Sequence, residues 1–223
     1  MGNFRNIYKL IPILLLLVWL SCKKKDATPA PDEVKDVATS ELLDYYIVAQ
    51  HKSGKKLSVI YFTREGSSIK ANVHLVATLR FREVNIKNLA FSIDLDDDGK
   101  AIYSFTVEKD ASGKLRLSTY RYAYQNIGNQ LTYAIIAKKT EAFAFAQSSF
   151  KIGDKSFNFY SDTGSPLLKW ITTNSYTYYN LTNVGFKTND NQFIGATVPN
   201  WDGIDTPVIL IEKDNIMHIA TKQ

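Results

Sequence analysis

Cysteine is nearly missing from this chain: there is one in 223 residues. A single thiol excludes an internal disulfide framework and a cysteine-based metal cage. Histidine is also scarce. His51, His74 and His218 stand in no two-histidine metal spacing, and none sits beside a cysteine or glutamate in a zinc motif. Six prolines and eleven glycines exclude a collagen-like or low-complexity chain. No Gly-x-Ser-x-Gly elbow and no phosphate-cradling glycine loop occurs. What is present is an ordinary globular balance of 45% hydrophobic, 22% charged and 13% aromatic residues, which excludes wholesale disorder.

The N-terminus departs from that balance. Arg5 and Lys9 precede an apolar run from Leu10 to Leu20, broken only by Pro12. A membrane span needs roughly 20 apolar residues, so this run is too short to cross. A short apolar run behind two positive charges is a signal-peptide pattern, and it is set aside from fold reasoning. The lone cysteine follows at once, in Trp19-Leu20-Ser21-Cys22, and Lys23, Lys24 and Lys25 come next. Here the chain resembles a bacterial lipoprotein precursor, with an opening like that of Bacteroidota lipoproteins. The resemblance covers about a tenth of the chain. It implies a signal peptide over 1–21, lipidation of Cys22 and anchoring in the cell envelope, at the outer membrane. Two acyl chains hold a protein stably where one does not, since each buried methylene contributes about 0.8 kcal/mol.

Removing the leader takes away Arg5 and Lys9, leaving 25 basic against 22 acidic residues. Three of those bases are Lys23 to Lys25, which suit anionic headgroups or a solvated linker. The remainder is near neutral and carries no basic stripe, so nucleic acid is not an expected partner.

Residues 22–39 read as the lipidated cysteine and a polar tether, with Pro29 and Pro31 within it. Residues 40–223 read as an all-β domain. Phe91, Ile93 and Leu95 share one parity; Tyr103, Phe105 and Val107 do so further on. Period-two patterns between turn residues signal half-buried strands. Turns are expected at Ser53-Gly54, Glu65-Gly66, Asp98-Gly99, Ser112-Gly113, Gly153-Asp154 and Asp202-Gly203. The stretches between strands are too short for parallel crossovers, so the expectation is an antiparallel barrel or sandwich. Around Leu42 to Gln50 the pattern favours a strand with one helical turn before it, and Ser40 is placed to cap that turn.

A faint internal repeat suggests two related β-halves, 45–139 and 150–222, joined by Thr140 to Ala146. Gly54–Tyr61 matches Gly153–Tyr160, and Gly66-Ser67 matches Gly164-Ser165. Further on, Val84–Lys87 matches Val184–Lys187, Glu108–Asp110 matches Glu212–Asp214, and Ile136–Lys139 matches Ile219–Lys222.

Two constellations carry potential chemistry. In Asp94-Leu95-Asp96-Asp97-Asp98-Gly99, the carboxylates of Asp94, Asp96 and Asp98 match the opening of a calcium loop. The twelfth position is Phe105 instead of a bidentate Glu, and the flanks read as strands. An acidic hairpin turn is the competing reading. Calcium is the one cofactor this motif suggests.

The aromatic residues are the second constellation. Tyr120, Tyr122 and Tyr124 fall on the parity that was polar earlier in their strand, while Arg121 falls in line with Leu115 and Leu117. A bulge near Thr119, burial of both faces, or a stacking platform would each explain this. Trp170 lies in a second aromatic cluster, and Trp201 in a loop beside an acid is a ligand candidate or a loop anchor. The resulting expectation is a non-catalytic binding module for a small molecule or glycan, using Tyr120, Arg121, Tyr122, Tyr124, Trp170 and Trp201. The alternative is a structural or protein-interaction lipoprotein. The first requires an open apolar cavity with Arg121 or Trp201 at its edge; the second, a filled interior. An envelope hydrolase would need two carboxylates facing across a cleft.

Overall fold

Among the described residues, alternation in the sequence becomes sixteen antiparallel strands in two successive groups of eight. The computed structural model describes residues 36–52, 56–125, 127–142, 144–162, 164–171, 174–201 and 206–223. The leader, Cys22 and Lys23 to Lys25 lie outside the described residues. So do the turns expected at Ser53-Gly54 and Asp202-Gly203.

The first group is β1 (Tyr45–His51), β2 (Leu57–Glu65), β3 (Ser68–His74), β4 (Leu79–Val84), β5 (Ala90–Asp94), β6 (Ala101–Lys109), β7 (Leu115–Tyr124) and β8 (Leu131–Lys138). A 3-10 turn, Thr39–Asp44, leads into β1. Its cap differs from expectation. Ala38, not Ser40, occupies the N-cap, and its N–H donates to Glu41 Oε1 at 2.9 Å. The fold also begins before Ser40, since Val37 is buried in the core and Thr39 Oγ1 accepts from the Ile86 N–H at 2.9 Å.

These strands make a five-stranded sheet in the order β4-β3-β2-β1-β8 and a three-stranded sheet β5-β6-β7. Both sheets cover one core, which includes Ile47, Phe62, Val73, Phe91, Phe105 and Ile136. The group is a meander whose first strand pairs with its last, interrupted at β4/β5 and β7/β8. Side chains bridge both interruptions. At β4/β5, Arg82 donates from Nε to the Asp94 carbonyl at 2.7 Å and from a terminal nitrogen to the Leu95 carbonyl. At β7/β8, Asn129 Oδ1 accepts from the Tyr122 and Leu131 N–H groups, while its Nδ2 donates to the Tyr120 carbonyl. Backbone groups that lack a ladder rung still need partners, and these two side chains supply them.

The second group is β9 (Ser149–Ile152), β10 (Lys155–Asp162), β11 (Ser165–Lys169), β12 (Ser175–Leu181), β13 (Gly185–Thr188), β14 (Phe193–Val198), β15 (Val208–Lys213) and β16 (Ile216–Lys222). It is a closed barrel in sequence order, β16 returning to β9. An eight-stranded barrel is just wide enough for side chains to fill. Here Phe145, Phe150, Phe157, Phe159, Phe186 and Phe193 fill it.

The two groups pack side by side through strands buried on both faces. In β1, Tyr45, Ile47 and Ala49 enter the first core, while Tyr46 and Val48 face the second group. In β15, Ile209 and Ile211 enter the barrel, while Val208 and Leu210 face the first group. Full burial of such side chains stabilises by about 1.5–3 kcal/mol each. Two polar contacts pin the seam: Tyr46 Oη donates to the Thr197 carbonyl at 2.8 Å, and the Leu57 N–H donates to Glu212 Oε2 at 2.6 Å.

Apart from those two interruptions the strands follow one another in the same order in both groups, and three of the five sequence matches fall at equivalent places in it. Two do not. Val84 ends the fourth strand of its group, whereas Gly185–Lys187 lie in the fifth strand of the other; Glu108–Asp110 ends the sixth strand of its group, whereas Glu212–Asp214 ends the seventh. Those two matches are of composition alone.

Candidate functional site

The acidic run folds as a hairpin turn, and its carboxylates diverge. Asp94 accepts from the Gly99 N–H at 2.8 Å and Asp96 pairs with Arg80 at 3.3 Å. Asp97 pairs with Arg82 at 3.0 Å, and Asp98 takes the Lys100 ammonium at 2.7 Å. Asp97 and Gly99 supply the left-handed φ values, +57° and +74°. Among the described residues, no group of three histidine, cysteine or acidic side chains converges as a metal site. The calcium expectation for Asp94, Asp96 and Asp98 is thus replaced by the hairpin, because each carboxylate is drawn to a different partner.

The tyrosine stripe follows from a bulge. Thr106 pairs with Thr119 but Val107 pairs with Leu117, so Ser118 is the extra residue. The bulge turns Tyr120 and Tyr122 toward the core that Leu115 and Leu117 also face. Arg121 consequently lies on the exposed face, away from them. Tyr120 serves the β7/β8 interruption, donating to the Thr132 carbonyl at 3.3 Å.

The two tryptophans are also corrected. Trp170 is buried inside the barrel, with its ring 4.9 Å from Phe193 and 5.2 Å from Phe157. An aromatic lumen this full leaves the indole no ligand-facing side. Trp201 packs on the seam between the groups, edge-on to Tyr133 at 4.6 Å. It is a loop anchor.

Tyr122 and Tyr124, by contrast, reach an open cleft. This cleft holds about 430 Å³ at one end of the first group and is lined by His51, Lys56, Leu75, Tyr122, Tyr124 and Gln130. Tyr122 stacks on Tyr103 at 4.5 Å and meets the edge of His51 at 5.0 Å. Tyr124, 44% exposed, forms the rim. Arg121 and Trp201 are not among the lining residues.

Beneath lies a polar floor. His51 Nε2 is 2.8 Å from Ser58 Oγ and 3.1 Å from Tyr103 Oη, and the two hydroxyls are 2.6 Å apart. A serine beside a histidine is the geometry of an activated nucleophile. Two features oppose that use. Ser58 is wholly buried, and burial lowers the His51 pKa to about 4, with Lys56 adding to the effect. A base with that pKa is mismatched to neutral pH. The triangle instead satisfies three polar groups that would be costly to bury unpaired.

A second, smaller cleft of about 300 Å³ adjoins, sharing Lys56 and Leu75 with the first. Its wall crosses from the β3–β4 loop of the first group to Glu212 and Asn215 of the second. Glu212 is buried, and burial raises its carboxyl pKa.

Sequence reasoning found Tyr122 and Tyr124 but missed His51, Ser58, Tyr103, Lys56, Gln130 and Glu212. His51 closes β1 instead of lying in a turn. Glu212 carried one signal, a carboxylate ending the uniform apolar run Val208–Ile211. Set against protein families, curated proteins and solved structures, the chain matches none.

Proposed function

We propose that this chain is a lipid-anchored envelope protein, held through Cys22, that binds a small molecule or glycan without transforming it. The observation that supports the binding reading is the tyrosine-lined cleft over a sealed polar floor. Its volume lies within the range of small-ligand sites, about 300–1,000 Å³. Both cores are filled with side chains, the outcome tied above to the interaction alternative, and neither Arg121 nor Trp201 edges the cleft; the binding reading therefore rests on the open cleft at the mouth of the first group and not on a lumen. The test is a calorimetric screen of glycans and small metabolites on the full chain, repeated with Tyr122→Ala and Tyr124→Ala. The reading expects a ligand whose affinity falls at least tenfold in one of the two variants. Ligands that bind wild type and both variants equally refute this site.

The anchor has its own test. Cys22→Ser is expected to block processing and lipidation; normal maturation of that variant refutes it.

A second reading, a protein-interaction module, draws support from large apolar side chains left in solvent. Ile127, 55% exposed, bridges to the rim residue Tyr124, and Phe81 on β4 is 56% exposed. Crosslinking on intact cells tests it: adducts through the rim of the cleft support a protein partner, and their absence leaves the ligand reading.

A further inference from the structure

We propose that the occupant of the cleft is a neutral oligosaccharide lying across both β-groups, stacked on Tyr122 and Tyr124 at one end and hydrogen-bonded to Glu212 at the other. This rests on the binding reading above and names its ligand class.

Three observations support it. The first is continuity. The two clefts share Lys56 and Leu75, so an extended ligand passes from the tyrosines of β7 to the turn after β15. A single sugar ring would fill one part only.

The second is charge. Among the described lining residues the two clefts together offer one cation, Lys56, and one carboxylate, Glu212, with the amides of Gln130 and Asn215 nearby. An anionic ligand gains from Lys56 and is opposed by Glu212; a cationic ligand meets the reverse. A neutral polyol avoids that conflict. Each hydroxyl both donates and accepts, so it satisfies the carboxylate, the ammonium and the amides in turn. Bonds to charged groups are also stronger than neutral ones.

The third is shape. Tyr122 is backed by Tyr103 at 4.5 Å and flanked by His51, so its ring is held rigidly. Amphipathic rings present a flat apolar body and a polar tip. A sugar matches that arrangement, with C–H groups on the face of its ring and hydroxyls around the edge. Glu212 is equally fixed, because its Oε2 takes the Leu57 N–H. A ligand that reaches both ends meets groups already oriented, which lowers the ordering cost of binding.

The experiment is calorimetric titration of the full chain with neutral oligosaccharides of one to four units. The probes are built from glucose, mannose, galactose or N-acetylglucosamine. Uronic-acid oligomers, amino-sugar oligomers and nucleosides are the comparison arms. The expected result is that affinity for one neutral series rises at least tenfold from one unit to three. Glu212→Gln then removes most of that gain. Tyr124→Ala, at an exposed rim position, weakens every length. Circular dichroism melts show that each variant is folded, and amide chemical shifts place the ligand where a variant is not. Equal affinity at all lengths, or an unchanged gain in Glu212→Gln, overturns the two-group site. Binding only by nucleosides or charged sugars that remains sensitive to Tyr124→Ala overturns the ligand class while the cleft itself stands. Binding insensitive to Tyr122→Ala and Tyr124→Ala, or none by any probe at millimolar concentration, overturns both.

Discussion

Lowering the pH from 7 to 5 should destabilise this fold mainly through two buried histidines. His51 is 7% exposed and His74 is 2% exposed, and burial lowers both from the ordinary 6.5 to about 4. His51 faces Lys56, Ser58, Tyr103 and Tyr122. His74 stacks on Tyr61 with Tyr179 beside it, Lys187 opposes its charge, and its Nδ1 is buried without a hydrogen-bond partner among the described residues. A base whose folded pKa is depressed takes up its proton more readily when unfolded. Its stabilising contribution is complete above pH 6.5 and is lost as pH falls from there through 4. At pH 5 the loss is about 2 kcal/mol for each ring, or about 4 kcal/mol for the pair. That is a large share of the roughly 5–15 kcal/mol typical of a domain. Glu212 runs the other way. Its raised carboxyl pKa makes its contribution complete below the ordinary carboxylate range and lost as pH rises, so acidification relieves it and offsets part of the fall. The assay is urea unfolding followed by circular dichroism at pH 7 and pH 5. With a slope of about 2 kcal/mol per molar urea, the histidine pair alone moves the midpoint by about 2 M. His51→Gln combined with His74→Gln should remove most of the pH dependence, and Glu212→Gln should enlarge it. An equal pH dependence in wild type and the double histidine variant would refute the reasoning.

Three further perturbations follow from the packing. Gly195→Ala is expected to cost about 3 kcal/mol by thermal or urea melts, because a Cβ there overlaps the Phe186 ring, which Phe145, Phe159 and Tyr178 hold in place. Phe159→Ala should cost about 3–5 kcal/mol on the same melts by opening a cavity in the phenylalanine-filled barrel. Asn129→Ala leaves the Tyr122 and Leu131 N–H groups and the Tyr120 carbonyl without their partner, for about 1–3 kcal/mol, and hydrogen exchange should quicken at Tyr122 and Leu131 before other β7 and β8 amides.

The legible parts of the sequence were those where one face is wet. β6 alternates because Tyr103, Phe105 and Val107 enter the core while Ser104 and Thr106 do not. The glycine turns at Gly66, Gly99, Gly113 and Gly153 were readable because each needs a left-handed φ. The bulge in β7 was readable because its hydrophobic parity reverses. Strands at the seam gave no such signal. In β14, Phe193 faces the barrel while Ile194, Ala196 and Val198 face the other group, so no polar phase marks either side. A uniform run reveals burial without revealing what buries it. Trp170 and Trp201 were misleading for a related reason: an indole in a short connection reads alike whether it meets solvent or a neighbouring core.

The position of the cleft follows from how differently two groups of the same strand order are closed. The barrel closes β16 onto β9 and fills its lumen with phenylalanine. In the first group the ladder breaks at β7/β8, and Asn129 replaces the missing rungs with a single side chain. That substitution carries the chain past the strand end with Gln130 still tied to the Tyr122 carbonyl at 2.7 Å. Tyr122, Tyr124 and Gln130 are thereby held around an opening instead of a continuous sheet. The seam supplies the rest, since packing β1 and β2 against β14 and β15 brings Glu212 to the Leu57 amide beside Lys56. None of these residues is close to Glu212 in sequence, so the composite site exists only once both groups have formed and docked. Site and stability are therefore coupled at Glu212, whose carboxylate joins the two groups and lines the recess between them.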